Sequence, residues 1–200
     1  MAASKKSSSP TKERFVALLR GLNVGGKNRL AMKDLAAAFT ACGCTNVTTF
    51  IQSGNVLFDA SASVAAKLRA DVPAKILSAH GLTTPVVLRT REELARVPRN
   101  NPWPDRAALD RAGSDGGAAP SPLLNVLFLA DTPTPDAAAG LDPNRSPGDE
   151  YALVGREVYL WLRRGVADSK LTNAYFDKQL GTTSTGRNWR TITKLIELCG

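Results

Sequence analysis

The sequence predicts an α+β protein built from two related halves. Three observations carry this reading. Apolar residues alternate in short runs that read as strands, longer stretches of helical period lie between them, and the pattern restarts after a Pro-, Asp-, Gly- and Ala-rich break from Asn100 to Pro122. Two hundred residues at 43% hydrophobic content suffice to bury a core.

Residues 1–13, rich in Ser and Lys, read as a disordered tail. From Arg14 the pattern gives strand 14–20, then helix 31–42 with Met32, Leu35, Ala36 and Phe39 at helical spacing. Strand 46–52, a turn at Ser53-Gly54-Asn55, strand 55–59, helix 62–80 and strand 84–89 complete the first unit. Pro73 lacks an N–H and crowds the preceding turn, so the second helix is expected to be kinked or divided. The order β-α-β-β-α-β over 14–99 is that of a ferredoxin-like lobe, two helices on one face of a four-stranded antiparallel sheet.

A short helix from Arg91 to Val97 leads into residues 100–122, read as a linker or long loop. Beyond it come strand 123–130, a short helix at 136–141, strand 150–154, the turn Val154-Gly155-Arg156, strand 157–162 and helical segments 170–179 and 188–199. This second, diverged ferredoxin-like lobe, 123–200, repeats β-α-β-β-α with no evident last strand. The two lobes together form one domain, and a groove between them is an expected location for a ligand.

Composition narrows the function. No apolar run approaches the roughly 18 residues of a membrane span, and Met1 to Arg14 lacks the apolar core of a secretory signal, so the chain reads as cytoplasmic. Cys42, Cys44 and Cys199 suggest neither a disulfide framework nor a zinc site. His80 is the only histidine and precedes Gly81 at a helix end, so Ser-His-Asp and Cys-His chemistry have little to work with. No cofactor motif and no catalytic constellation is read, which leaves enzymatic activity open. The net charge of +8 is uneven: 12 cations face 5 anions over 14–100, 3 face 8 over 101–155, and 8 face 4 over 156–200. This balance suits a polyanionic partner, a phosphate-bearing small molecule or a nucleic acid, although a solvated basic surface with no partner is the commoner origin of such asymmetry.

Two stretches are candidate sites. Arg20-Gly21-Leu22-Asn23-Val24-Gly25-Gly26-Lys27-Asn28-Arg29 joins the first strand to the first helix, with glycines that let backbone N–H groups approach a ligand beside cations and amides. Arg20, Asn23, Gly25, Gly26, Lys27 and Asn28 are its candidate ligand-binding residues. The second is Gly181 to Leu195, hydroxyls and glycines ahead of a helix with Trp189, Ile192, Leu195, Ile196 and Cys199 on one face. Thr185 or a neighbouring hydroxyl is the expected N-cap. Arg187 and Asn188 are candidates because a cation near a helix start opposes the helix dipole unless an anion or carboxylate sits beside it. Gln52, Ser53 and Asn55 in the hairpin Gln52-Ser53-Gly54-Asn55 are candidates too, although turn chemistry accounts for most of it. That hairpin is expected at the opposite end of the sheet from the glycine loop.

Arg20 to Asn28, Phe50-Ile51-Gln52-Ser53-Gly54-Asn55-Val56-Leu57-Phe58 and Thr185-Gly186-Arg187-Asn188-Trp189-Arg190-Thr191-Ile192-Thr193-Lys194-Leu195 resemble, in order, the bacterial family catalogued as domain of unknown function 1697. The resemblance spans about residues 14–199. It implies an α+β fold with ferredoxin-like lobes and carries over no activity, ligand or catalytic residue.

Gly21-x-x-x-x-Gly26-Lys27 also matches the start of a P-loop, and Leu123 to Asp131 imitates the strand that presents a magnesium-binding acid. Asn28 stands where that motif needs Ser or Thr, and the loop does not run straight into its helix. Three readings therefore stand: a binding protein for a phosphate-bearing ligand, a P-loop-like nucleotide enzyme, and an interaction scaffold with purely structural motifs.

Overall fold

The computed structural model describes residues 11–26, 28–107 and 123–200. The first half contains β1 (Lys12–Leu19), α1 (Met32–Ala41), β2 (Thr45–Phe50), β3 (Asn55–Ser61), α2 (Ala62–His80), β4 (Val86–Thr90) and α3 (Arg91–Arg96). The second contains β5 (Leu124–Leu129), α4 (Pro135–Ala139), β6 (Glu150–Val154), β7 (Glu157–Trp161), α5 (Asn173–Leu180), β8 (Ser184–Asn188) and α6 (Trp189–Cys199). Two four-stranded sheets result, ordered β2-β3-β1-β4 and β6-β7-β5-β8, with every neighbouring pair antiparallel.

Alternation along β1 divides the interior. Phe15, Ala17 and Leu19 face α1 and α2, where they pack with Leu35, Phe39, Leu68, Val72 and Ile76. Val16 and Leu18 face the other way, into a core shared by both halves that takes Val126 and Phe128 from β5, Tyr159 and Trp161 from β7, Leu94 from α3, and Trp189, Ile192 and Leu195 from α6. The outer face of the second sheet forms a third core, in which Leu127, Leu129, Val158 and Leu160 meet Phe176 and Leu180 of α5. Each fully buried side chain of this kind contributes about 1.5–3 kcal/mol. The middle core is the one that joins the halves, and Tyr159 completes it by donating its hydroxyl to Val97 O at 2.8 Å.

The halves correspond strand for strand. Phe15 lies opposite Phe58 and Thr90, as Asn125 lies opposite Leu160 and Asn188. Val16 faces Arg89 as Val126 faces Arg187. Leu19 N–H donates to Gly54 O and Leu129 N–H to Arg156 O, both at 2.8 Å, so the equivalence extends to the strand ends.

Four expectations need correction. The second half does have a last strand, β8; Ser-Thr-Gly-Arg-Asn shows no apolar alternation, and its Ser184, Thr185 and Arg187 are buried through hydrogen bonds. Pro73 sits inside an uninterrupted α2, with Leu68, Val72 and Ile76 packed into the core on either side of it, so burial outweighs the lost hydrogen bond. β1 begins at Lys12, inside the expected tail, because Lys12 and Glu13 continue the ladder to Ser61 and Ala60. Asn188, rather than Thr185, caps α6 by accepting from Thr191 N–H at 2.8 Å. Of the 100–122 segment, residues 104–107 are helical and Trp103 packs on the middle core, while 108–122 lie outside the described residues. So do residues 1–10 of the expected tail.

Candidate functional site

Two equivalent arginines cross between the halves. Arg89, 1% exposed, leaves β4 to donate to Leu129 O and Arg156 O, each at 2.9 Å, and to the Glu157 carboxylate at 2.8 Å. Arg187 leaves β8 for the matching atoms of the first half: Leu19 O at 2.8 Å, Gly54 O and Ser53 O at 3.1 Å, and Asn55 Oδ1 at 2.5 Å. Its remaining N–H groups go to Thr185 Oγ1 and Gly186 O. The partners differ in charge. Arg89 has a carboxylate, whereas Arg187 has an amide, and burial pulls its guanidinium down to about 10. Burial lowers Arg89 as well, with Glu157 opposing the shift.

This geometry decides what Arg187 offers a ligand. Every N–H of its guanidinium is already engaged by the protein, so it supplies positive potential and no free donor. Asn55 is likewise committed, its amide donating to Phe50 O and Ser53 Oγ while its oxygen holds Arg187.

The hairpin and the glycine loop share one end of the sheet, contrary to expectation. β3 is antiparallel to both β1 and β2, so β2 runs with β1 and its hairpin emerges where β1 ends. Asn23, in the left-handed region at φ 55°, staples them: its Nδ2 donates to Gln52 O at 2.9 Å and Leu30 O at 3.0 Å, and its Oδ1 accepts from Leu30 N–H. Asn28 donates to Gly21 O. The loop amides thus hold the loop's own shape. Asn23, Gly26 and Gln52 line one shallow hollow with Arg29 and Met32, and Lys27 lies outside the described residues.

The other side of the loop opens on a larger feature. Arg20, Gly21, Val24, Ile51 and Ser53 form one rim of a groove of about 590 Å³ between the halves. Its floor is the outer face of the second sheet, with Leu127 and Leu160 apolar and Asn125 and Asn188 polar, extended by Leu162 just past β7 and Thr191 of α6. Val166, Leu171, Thr172 and Asn173 form the far wall. The groove goes with a difference in helix length, since α5 has 8 residues where α2 has 19: an irregular stretch, 162–172, precedes the helix and forms the far wall, while Asn125, Leu127 and Leu160 of the floor stay buried.

Three features set this groove apart. Val24, Ile51 and Val166, exposed by 63%, 49% and 63%, are three of the five large apolar side chains left in solvent among the described residues, and all three border it. Ile51 holds φ 47°, a strained position for a β-branched residue. Among the described residues the lining contains no Asp, Glu, His, Cys or Lys, and its hydroxyls are those of Ser53, Thr172, Thr185 and Thr191. Arg20 is the one cation on the rim among the described residues. Its Nη1 binds Asp177 at 2.5 Å and Ser184 O at 3.0 Å, while Nε and Nη2 have no partner among the described residues.

Sequence reasoning named Arg20, Ser53, Arg187 and Asn188, which line this groove, and did not name the rest of the floor or the far wall. Asn125, a lone polar residue in the apolar run Leu123 to Leu129, was the available signal. The P-loop reading loses its second half: Asp131 lies just past β5, in the other half of the chain, where Arg69 holds it at 2.8 and 3.0 Å and Thr182 donates to it. The described glycine loop is followed by Arg29, Leu30 and Ala31 before α1 begins.

Similarity to other proteins agrees with this architecture. A conserved bacterial protein from Streptococcus pneumoniae, SP0830, superposes with a TM-score of 0.62 at 20% identity, covering 95% of this chain and all of the other. That likeness is one of fold. No curated protein matches the chain. A family model described as protein of unknown function (DUF1697) matches residues 13–159, which takes in the glycine loop and the hairpin and stops short of β8. The chain therefore belongs to the DUF1697 family of proteins of unknown function.

Proposed function

We propose that the protein is a cytoplasmic, non-catalytic binding protein of two ferredoxin-like lobes, 14–99 and 123–200, whose inter-lobe groove takes a phosphate-bearing small molecule. The strand order of each half supports the lobe reading. The observation that carries the ligand reading is the lining itself: a mixed apolar and amide floor, exposed apolar rims, no acidic residue among the described ones, and two arginines, Arg20 with Nε and Nη2 unused beyond its pair with Asp177 and the buried Arg187 with no carboxylate partner. Arg20, Ser53, Arg187 and Asn188 border this groove, and Gly25, Gly26 and Lys27 belong to the loop that forms its rim. Asn23, Asn28, Gln52 and Asn55 support it by fixing loop and hairpin.

Thermal unfolding of the full chain with inorganic phosphate, propyl phosphate and octyl phosphate tests the proposal, since a ligand of the native state raises the melting temperature. The expected result is a rise that grows from phosphate to octyl phosphate and is lost in Arg20→Gln and reduced in Val166→Asp. No rise with any of them, or a rise unchanged in both variants, overturns it. A rise only with oligonucleotides, steeply salt-dependent and indifferent to Val166, would instead mark a nucleic-acid surface. Magnesium-dependent nucleotide turnover would restore the P-loop-like enzyme, and loss of stability in the variants without any ligand effect would leave a scaffold.

A further inference from the structure

Resting on the groove reading above, we propose that the ligand's phosphate is a terminal phosphomonoester seated where α5 and α6 begin, held by Thr191 Oγ1 and Asn188 Nδ2 as well as by Arg20.

Two helices start at this groove. α5 lies over β8 with its first residue, Asn173, beside Ser184 and Gly186, and β8 runs on to Asn188, which caps α6. Thr172 and Asn173 of one start and Asn188 and Thr191 of the other all line the cavity. A helix start carries the positive end of the backbone dipole and N–H groups with no partner inside the helix. At α5 the Thr172 hydroxyl takes the Tyr175 N–H, and the N–H groups of Asn173 and Ala174 have no acceptor among the described residues. Neither helix has an acidic residue in its first turn, whereas α1, α3 and α4 each have one or more; of the others only α2 shares the lack.

A buried hydroxyl beside these starts points to a ligand. Thr191 is 8% exposed, yet its Oγ1 makes no hydrogen bond among the described residues, while the Thr193 hydroxyl of the same helix donates to Trp189 O at 3.0 Å. Thr191 Oγ1 is not among the side-chain polar atoms enclosed without a hydrogen bond, so it opens on the groove that Thr191 lines. Buried polar groups are ordinarily paired within the protein, and this one is left over for a ligand. Asn188 adds a second donor: its Oδ1 accepts from Thr191 N–H, and its Nδ2 has no partner among the described residues. Arg20 supplies Nε and Nη2 from the rim of the first half. Asp177, the carboxylate that meets Arg20, is outside the lining and also takes the Ser184 N–H and hydroxyl.

A hydroxyl, an amide, a guanidinium and the N–H groups of a helix start offer more donors than a carboxylate can accept. They suit a group with three acceptor oxygens and a charge of about −1.5 to −2, which is a terminal phosphomonoester. A phosphodiester, such as a nucleic-acid backbone, has two free oxygens and one charge. The organic part of the ligand is left to Val24, Ile51 and Val166 on the rim and far wall.

Calorimetric titration of the full chain with octyl phosphate and with methyl octyl phosphate, its diester, is the test. Expected is a monoester affinity about tenfold or more above the diester's, weakened about tenfold in Thr191→Val, kept in Thr191→Ser and lost in Asn188→Asp. Asp still offers a capping oxygen and favours a helix start, and Val removes a hydroxyl that bonds nothing in the protein, so both variants should match or exceed the wild-type melting temperature. Weaker binding at undiminished stability separates a ligand contact from a structural role. If Asn188→Asp does not fold, the Val and Ser variants of Thr191 decide. Equal affinity for the two esters overturns the monoester assignment, and octyl phosphate binding unchanged in Thr191→Val and Asn188→Asp overturns the seat; loss of that binding in Arg20→Gln would still leave the groove reading standing. No binding of octyl phosphate to the unaltered chain brings down both.

Discussion

The two halves share a strand order and a pairing register, yet one is closed and the other open. In the first, a 19-residue α2 and the ring cluster of Phe15, Phe58 and Phe39 cover the sheet; in the second, an 8-residue α5 with the rings of Tyr151, Tyr175 and Phe176 covers part of it, and a groove floored by Asn125, Leu127 and Leu160 lies beside that cover. The same division runs through the arginines, since Arg89 meets a carboxylate and Arg187 an amide. The uncompensated cation thus lies beside the open groove. A repeated topology lets one copy carry stability while the other gives up packing for a cavity, because the middle core ties them into one body.

Removing either arginine should break the molecule first. Arg89→Met would strand the Glu157 carboxylate and two carbonyls, a loss of about 3–5 kcal/mol. Arg187→Met would strand the carbonyls of Leu19, Ser53 and Gly54 without leaving a charge behind, a loss of about 3 kcal/mol. Urea unfolding measures both. Arg187→Lys should fail nearly as badly, since three donors on one nitrogen cannot reproduce a planar fork of five. Near-native stability in either Met variant would mean that the halves do not depend on these crossings.

The next effect compares two glycines. A Cβ at Gly54 would lie 2.9 Å from Leu19 Cβ and 3.2 Å from its carbonyl oxygen, at φ +76°, so neither neighbour can give and Gly54→Ala should cost about 1–3 kcal/mol. At Gly186 the 2.9 Å contact is with Leu127 Cδ2, the tip of a side chain, and the φ is not positive. Gly186→Ala should cost less and narrow the groove. Equal losses would contradict the close fit of the hairpin on β1.

Glu157→Gln probes the charge difference alone. It keeps an acceptor for Arg89 and makes the first half's crossing neutral-partnered like the second's. Hydrogen bonds to charged groups exceed neutral ones by about 1 kcal/mol, which is the expected loss. No loss would show that a buried guanidinium here needs acceptors and not a counter-charge.

What the sequence disclosed follows the physics of each element. β1 to β4 were legible because Val, Leu and Phe alternate where one or both faces are apolar, and α6 because Trp189, Ile192 and Leu195 recur at helical spacing. β8 was not, since Ser184, Thr185 and Arg187 are buried by hydrogen bonds formed only when both halves are present. The shared position of hairpin and loop follows from strand parity. The groove was hidden because it goes with a difference in helix length, and Asn125 within Leu123 to Leu129 was its single trace. Arg187 stood out in the sequence as a cation near a helix start; in the fold it is held by the carbonyls of Leu19, Ser53 and Gly54 and by Asn55 Oδ1 across the interface.

The smallest effect has the opposite sign. Ile51 sits in the left-handed region at φ 47° with half its surface in water, a conformation that costs a β-branched residue about 1–2 kcal/mol and gains little from burial. Asparagine tolerates that conformation, so Ile51→Asn should raise stability by about 0.5–1 kcal/mol in thermal unfolding. The same change removes an apolar side chain from the rim, and octyl phosphate should then bind more weakly although the protein is more stable. A residue that lowers stability and raises affinity is retained for its contact with the ligand. Stability and binding that rise together would assign Ile51 to the fold, and with it would go the argument that strain marks the open side of the molecule.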